Sequence, residues 1–122
     1  MASFSTTVPD FQTQLGCLLS IVSQANPDSL SLQQHFLAVQ EQFQGQLKGS
    51  EGDLAELAQP ILLEMSRTLR LLGMDIAFLQ TARQSVTLQQ RQKQMCDRIA
   101  QLQNFCQGLL KLASEYSPET EG

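Results

Sequence analysis

The chain is poor in the residues from which reaction centres are built. Its 122 residues include one histidine and three cysteines. A lone His cannot complete a usual zinc set or a catalytic triad, and Cys17, Cys96 and Cys106 show no metal-ligand spacing. Cys96 and Cys106 fall on one expected helix, where a rise of about 1.5 Å per residue separates them by roughly 15 Å, too far to bridge within one chain. The three cysteines therefore read as reduced side chains that pack as small apolar residues. Also missing are a P-loop, a dinucleotide glycine fingerprint, a nucleophile elbow and a His-Glu-x-x-His zinc helix. The expectation is a protein without enzymatic activity, cofactor or metal.

Long apolar runs are absent as well. None approaches the roughly 18 residues that a bilayer crossing needs. The opening MASFSTTVPDF lacks the basic and apolar regions of a secretory signal, so no membrane association and a cytoplasmic location are expected. Charge is sparse: 16% of residues are charged, and 8 Lys and Arg stand against 12 Asp and Glu, a net charge of -4. That balance gives no general electrostatic footprint for nucleic acid or anionic membrane. The basic residues nevertheless cluster between Arg67 and Arg98, while acids gather from Glu51 to Glu64 and from Glu115 to Glu121.

What remains is helix. The hydrophobic share of 42% suits a globular protein, and the length suits one core. We expect a single helical domain over residues 1–116 and an acidic, mobile tail over 117–122. A first helix is predicted from about Pro9 to Ala25, with Pro in its first turn and Val8, Phe11, Leu15, Leu18, Leu19 and Val22 on one face. Asn26-Pro27-Asp28 ends it. Ser31 with Gln34 makes a capping-box pattern before Leu32, Phe36, Val39, Phe43 and Leu47, and Gly49 supplies the stop.

A third helix is predicted from Asp53 to about Arg83, striped by Leu54, Leu57, Ile61, Met65, Leu69, Leu72, Ile76 and Leu79. Pro60 is expected to kink it or split off its first turns. After a turn at Gln84-Ser85-Val86, Thr87 with Gln90 opens a fourth helix reaching about Glu115, striped by Leu88, Met95, Ile99, Leu102, Cys106, Leu109 and Ala113. The fold expected is all-α: an antiparallel four-helix bundle with two shorter N-terminal and two longer C-terminal helices.

Two short helices cannot cover two long ones end to end. Leu63, Leu71, Met74 and Phe78 also project away from the main stripe of the third helix, and a helix apolar on two sides needs two partners. A neighbouring helix, a second copy in a homodimer, or another protein could meet that need. Met74 and Phe78 are the expected anchors. Arg67 projects beside them, and Arg70, Arg83, Arg91 and Arg98 complete a set suited to interfaces, since guanidinium groups pair bidentately with carboxylates. The competing reading leaves these arginines solvated or paired with local acids such as Glu64, Asp75 and Asp97. His35 reads as a partly solvated surface residue, and Glu51, Asp53 and Glu56 as charges that favour a helix start.

The block RTLRLLGMDIAFLQTARQSVTLQQRQKQMCDRI, from Arg67 to Ile99, resembles the PatD family of cyanobacterial regulators of heterocyst frequency. The resemblance implies a cytoplasmic regulator of heterocyst differentiation that binds the cell-division protein FtsZ and modulates its assembly. The interaction residues expected from the projection of the third helix and from arginine chemistry are Arg67, Arg70, Leu71, Met74, Phe78, Arg83 and Arg91, all of them within this block. Apart from that resemblance, two alternatives stand. One is a structural or assembly-chaperone bundle that binds an amphipathic client helix. The other is a nucleic-acid-associated regulator using Arg83, Arg91 and Lys93, which the net charge opposes.

Overall fold

The computed structural model describes residues 4–24, 27–47, 53–81 and 85–116. Four helices pack together: α1 (Phe4–Val22), α2 (Ser29–Gln42, continued by a π-helical turn at Phe43–Leu47), α3 (Asp53–Thr81) and α4 (Ser85–Tyr116). At 29 and 32 residues, α3 and α4 are the long pair; α1 has 19 and α2 has 14. The expected stop at Gly49, the turn residue Gln84, Arg83 and the tail 117–122 lie outside the described residues.

A spacing of alternating threes and fours organises the core. In α1 it joins Phe4, Val8, Phe11, Leu15, Leu18 and Val22; in α3 it joins Ala55, Ala58, Leu62, Met65, Leu69, Leu72, Ile76 and Leu79, and all of these are buried. In α4 it joins the buried Met95, Ile99, Leu102, Cys106 and Leu109, with partly buried Leu88 and Ala113 at the ends. A repeat averaging 3.5 residues keeps one seam facing the partner along the whole length of a helix. Full burial of a Leu or Phe side chain contributes roughly 1.5–3 kcal/mol.

The second half of α3 follows the predicted stripe, but its first half does not. Leu57 is exposed, Leu54 and Ile61 are half-buried, and the core takes Ala55, Ala58 and Leu62 instead. Leu57, Ile61, Met65 and Leu69 are spaced by four throughout and so drift round the helix. The smaller alanines keep the alternating spacing and stay on the seam.

Local boundaries also moved, for physical reasons. Pro9 is inside α1, in its second turn, and Thr13 Oγ1 donates to its carbonyl at 3.1 Å. The cap of α2 is Asp28, not Ser31: Asp28 is extended, and its Oδ2 accepts from the Ser31 backbone N–H at 3.0 Å. A carboxylate is at least as good a cap as a hydroxyl and favours the positive end of the helix dipole. Pro60 does not split α3, which continues through it. The missing N–H would have met the carbonyl of Glu56, and both residues are exposed, so water can serve that carbonyl.

The π turn has a packing consequence. At about 100° per residue, Leu47 would project about 60° from Leu32 in a pure α-helix. The wider turn rotates less per residue and returns Leu47 to the buried face beside Phe43.

Neighbouring helices run antiparallel in ring order α1, α2, α3, α4. Phe11 of α1 meets Phe43 with ring centroids 6.1 Å apart. Gln103 Nε2 of α4 donates to the Gln12 carbonyl at 3.2 Å, and Gln92 Nε2 donates to the Val22 and Gln24 carbonyls at 3.1 and 2.7 Å. Gln92 occupies a seam position of α4 between Leu88 and Met95, and there it caps the end of α1. The most extensive seam joins α3 to α4, and the thinnest joins α2 to α3. In the thin seam Phe36 lies against Gly73: a Cβ added at Gly73 would come 3.0 Å from Cε2 and Cζ of the ring. The α1 contacts leave roughly the first two turns of α4 extending beyond α1, beside the last turn of α3.

Candidate protein-interaction face

With the core seam of α3 turned inward, its opposite side carries Leu71, Met74 and Phe78 at spacings of three and four. Met74 is 50% and Phe78 48% exposed; Leu71 is half-buried, and Leu63 lies exposed two turns earlier. Arg67 stands one turn before Leu71, and Arg70 on the flank of the row; both are exposed. The main stripe closes without these apolar residues, so the row is surplus to the packing of one copy.

The upper end of the row is held by charge. The Arg91 guanidinium lies 4.6 Å from the centroid of the Phe78 ring, donates through Nη1 to Asp75 Oδ1 at 3.2 Å, and reaches Gln94 Oε1 at 3.2 Å. Asp75 also accepts from Arg98 Nε at 2.6 Å. The side chain of Asp75 is only 4% exposed, against 33% for Arg91 and 20% for Arg98. A buried carboxylate needs such partners, and each arginine reaches it from α4 because position 75 faces that helix. Ring and cation attract through the aromatic quadrupole, which fixes Arg91 at the end of the row.

Of the sequence-predicted residues, the structure thus brings Phe78 and Arg91 into contact and sets Leu71, Met74 and Arg67 on the same side of α3. Arg70 flanks them, and Arg83 lies outside the described residues. Arg91 and Arg98 pair with a local acid, while neither Arg67 nor Arg70 makes an ion pair among the described residues. Sequence reasoning named Asp75 only as one acid among three; its role follows from facing two arginines across a helix seam. Exposure of Leu30, Leu37, Leu57 and Val86 was not anticipated.

Reactive chemistry is thinly represented elsewhere. His35 is half-buried, and its Nδ1 donates to the Ser31 carbonyl at 3.0 Å, which leaves a carbonyl acceptor as its partner. Cys106 is buried, and loss of solvation pushes its thiol up to about 12, so it stays protonated at neutral pH. Cys17 is exposed, and Cys96 is half-buried with Sγ 3.9 Å from Ser23 Oγ. No group of His, Cys, Asp and Glu among the described residues could hold a metal ion. A depression of about 550 Å³ is lined by Thr87, Gln90, Arg91, Lys93, Gln94 and Asp97, all from α4, and is an open surface crease. No helix among the described residues is long and apolar enough to cross a membrane.

Comparison with known proteins overturns the resemblance to PatD. Residues 5–107 match the family model of the CRR41 C-terminal domain, a span reaching from α1 into α4. Leu69, Leu72, Ile76, Leu79, Leu88, Met95 and Ile99 of the Arg67–Ile99 block occupy seam positions of α3 and α4, and Asp75 serves the arginines opposite. Its pattern therefore records how two long helices pack, which unrelated bundles share. No curated protein and no solved structure matches the chain. By a match covering most of its length, the chain belongs to the CRR41 C-terminal domain family.

Proposed function

We propose that this domain is a non-catalytic binding module that docks an amphipathic helix of another protein on the outer face of α3. The observation that supports it is the exposed row Leu71, Met74 and Phe78 on a helix whose core stripe is complete without it. Anchors at these spacings are how a helical surface meets a helix. Met and Phe suit the role, since a flexible thioether and an aromatic ring fill a partner's recesses. FtsZ as the partner rested only on the resemblance to PatD and has lost its basis. The reading is that of a structural or assembly module holding a client helix.

The test uses a fluorescently labelled helical peptide with Leu on one face and Gln on the others, titrated into the whole chain. Binding is expected, and a Met74→Ser, Phe78→Ser variant should weaken it at least about tenfold, since most binding energy resides in a few buried anchors. Equal binding by both proteins, or none by a wild type with an intact helical spectrum, would refute the reading.

A further inference from the structure

Charge is distributed along this bundle so unevenly that it says something about the occupant. Between Leu63 and Arg98 lie six basic and three acidic residues; the rest of the chain has two basic and nine acidic. A protein of net charge -4 therefore concentrates its cations in the stretch of sequence that holds the exposed row of α3, with Arg67, Arg70 and Arg91 beside the row itself. The acids in that region do not neutralise the row. Asp75 is enclosed by Arg91 and Arg98, Asp97 pairs with Lys93 at 3.5 Å, and Glu64 makes no ion pair with Arg67 or Arg70. Two exposed guanidinium groups without acidic partners among the described residues thus flank Leu71 and Met74, and a third, Arg91, is fixed over Phe78.

We infer that the occupant of this face is an acidic amphipathic helix, with apolar residues seated on Leu71, Met74 and Phe78 and carboxylates on its flanks meeting Arg67 and Arg70. The inference rests on the docking reading above and specifies its partner. Guanidinium groups at the rim of an apolar contact reward carboxylates in two ways: they steer the encounter and form bidentate bonds. They also repel basic surfaces, which makes the face selective.

A second copy would bring the same positive charges to the seam. A two-fold antiparallel pairing of α3 helices centred between Arg70 and Leu71 would set Phe78 of one copy against Leu63 of the other, but it would oppose Met74 to Arg67 and Leu71 to Arg70. Four arginines would then share a seam whose nearest counter-charge is Glu64 from each copy. The acidic helix supplies what that pairing lacks.

The experiment compares three versions of the Leu-faced helical peptide, with Glu, Gln or Lys on the flanks, binding to the whole chain. The Glu version should bind about tenfold tighter than the Lys version at low salt, and the gap should narrow as salt screens the exposed charges. An Arg67→Glu, Arg70→Glu variant should reverse the order, a gain for the Lys peptide that damage to the fold cannot produce. Equal binding of Glu and Lys peptides, lost together in the Met74→Ser, Phe78→Ser variant, would overturn the acidic partner and leave the docking face standing. No binding of any peptide to folded wild type would overturn both. Light scattering showing a dimer that Met74→Ser, Phe78→Ser dissolves would assign the face to a second copy and overturn the inference.

Discussion

Replacing Asp75 by Asn tests how the two long helices are pinned together. The substitution keeps the shape of the side chain and removes its charge. Asn can still accept one hydrogen bond from Arg98, but its amide N–H then faces Arg91, donor against donor. Two charge-assisted bonds, at 2.6 and 3.2 Å, are lost or reduced. Breaking a fully buried ion pair costs about 3–5 kcal/mol. Here the carboxylate is 4% exposed but the arginines are 20% and 33% exposed, so water rehydrates part of what they lose. A cost of about 2–3 kcal/mol follows.

The internal control is Asp97→Asn. That residue pairs with Lys93 at 3.5 Å with the two side chains 65% and 79% exposed, a contact worth at most about 0.5 kcal/mol. With no Trp and one Tyr, the chain is best followed by far-ultraviolet circular dichroism in urea. For a domain of this size the Asp75 variant should melt roughly 10 °C lower. In double-mutant cycles Asp75 should couple more strongly to Arg98 than to Arg91, in the order of distance and burial. If Asp75→Asn costs no more than Asp97→Asn, the carboxylate does not pin the helices.

Four further outcomes are expected. Gly16→Ala, where an added Cβ meets nothing within 4 Å, should stabilise by up to about 1 kcal/mol, whereas Gly73→Ala should forfeit that gain against the Phe36 ring, as paired urea melts would show. Iodoacetamide on the native protein near pH 8 should label exposed Cys17 and spare Cys106 until denaturant is added, as mass spectrometry would show. Because the folded pKa of Cys106 is raised from 9.0 to about 12, the native state retains a proton that the unfolded chain loses. Stability should therefore fall by up to about 1.4 kcal/mol per unit as pH rises through that window, and Cys106→Ala should flatten the fall. Gln92→Ala should cost about 1 kcal/mol in the same melts by releasing the carbonyls of Val22 and Gln24.

The number and relative lengths of the helices were legible because apolar periodicity is a local property, and the exposure of Met74 and Phe78 followed from projecting α3 on a wheel. Choosing the largest apolar residues failed at the start of α3, where seam geometry favoured Ala55 and Ala58 over Leu57. Helix starts were misplaced where two capping residues competed, as Asp28 and Ser31 do. The pairing of Asp75 with Arg91 and Arg98 joins residues 16 and 23 positions apart, and only the antiparallel docking of α3 on α4 selects it from the other acids.

Gln92 carries a consequence beyond its two hydrogen bonds. Helices whose apolar residues repeat every seven can slide past one another by one repeat and find nearly the same contacts again. A polar residue at a seam position removes that degeneracy, because its partners exist at one height only. Slipped by seven residues, α4 would withdraw Gln92 from the end of α1 and leave it against apolar neighbours. The same slip would carry Arg98 and Arg91 away from Asp75. The least hydrophobic positions of the interior thus act as a vernier that admits a single alignment of the long helices.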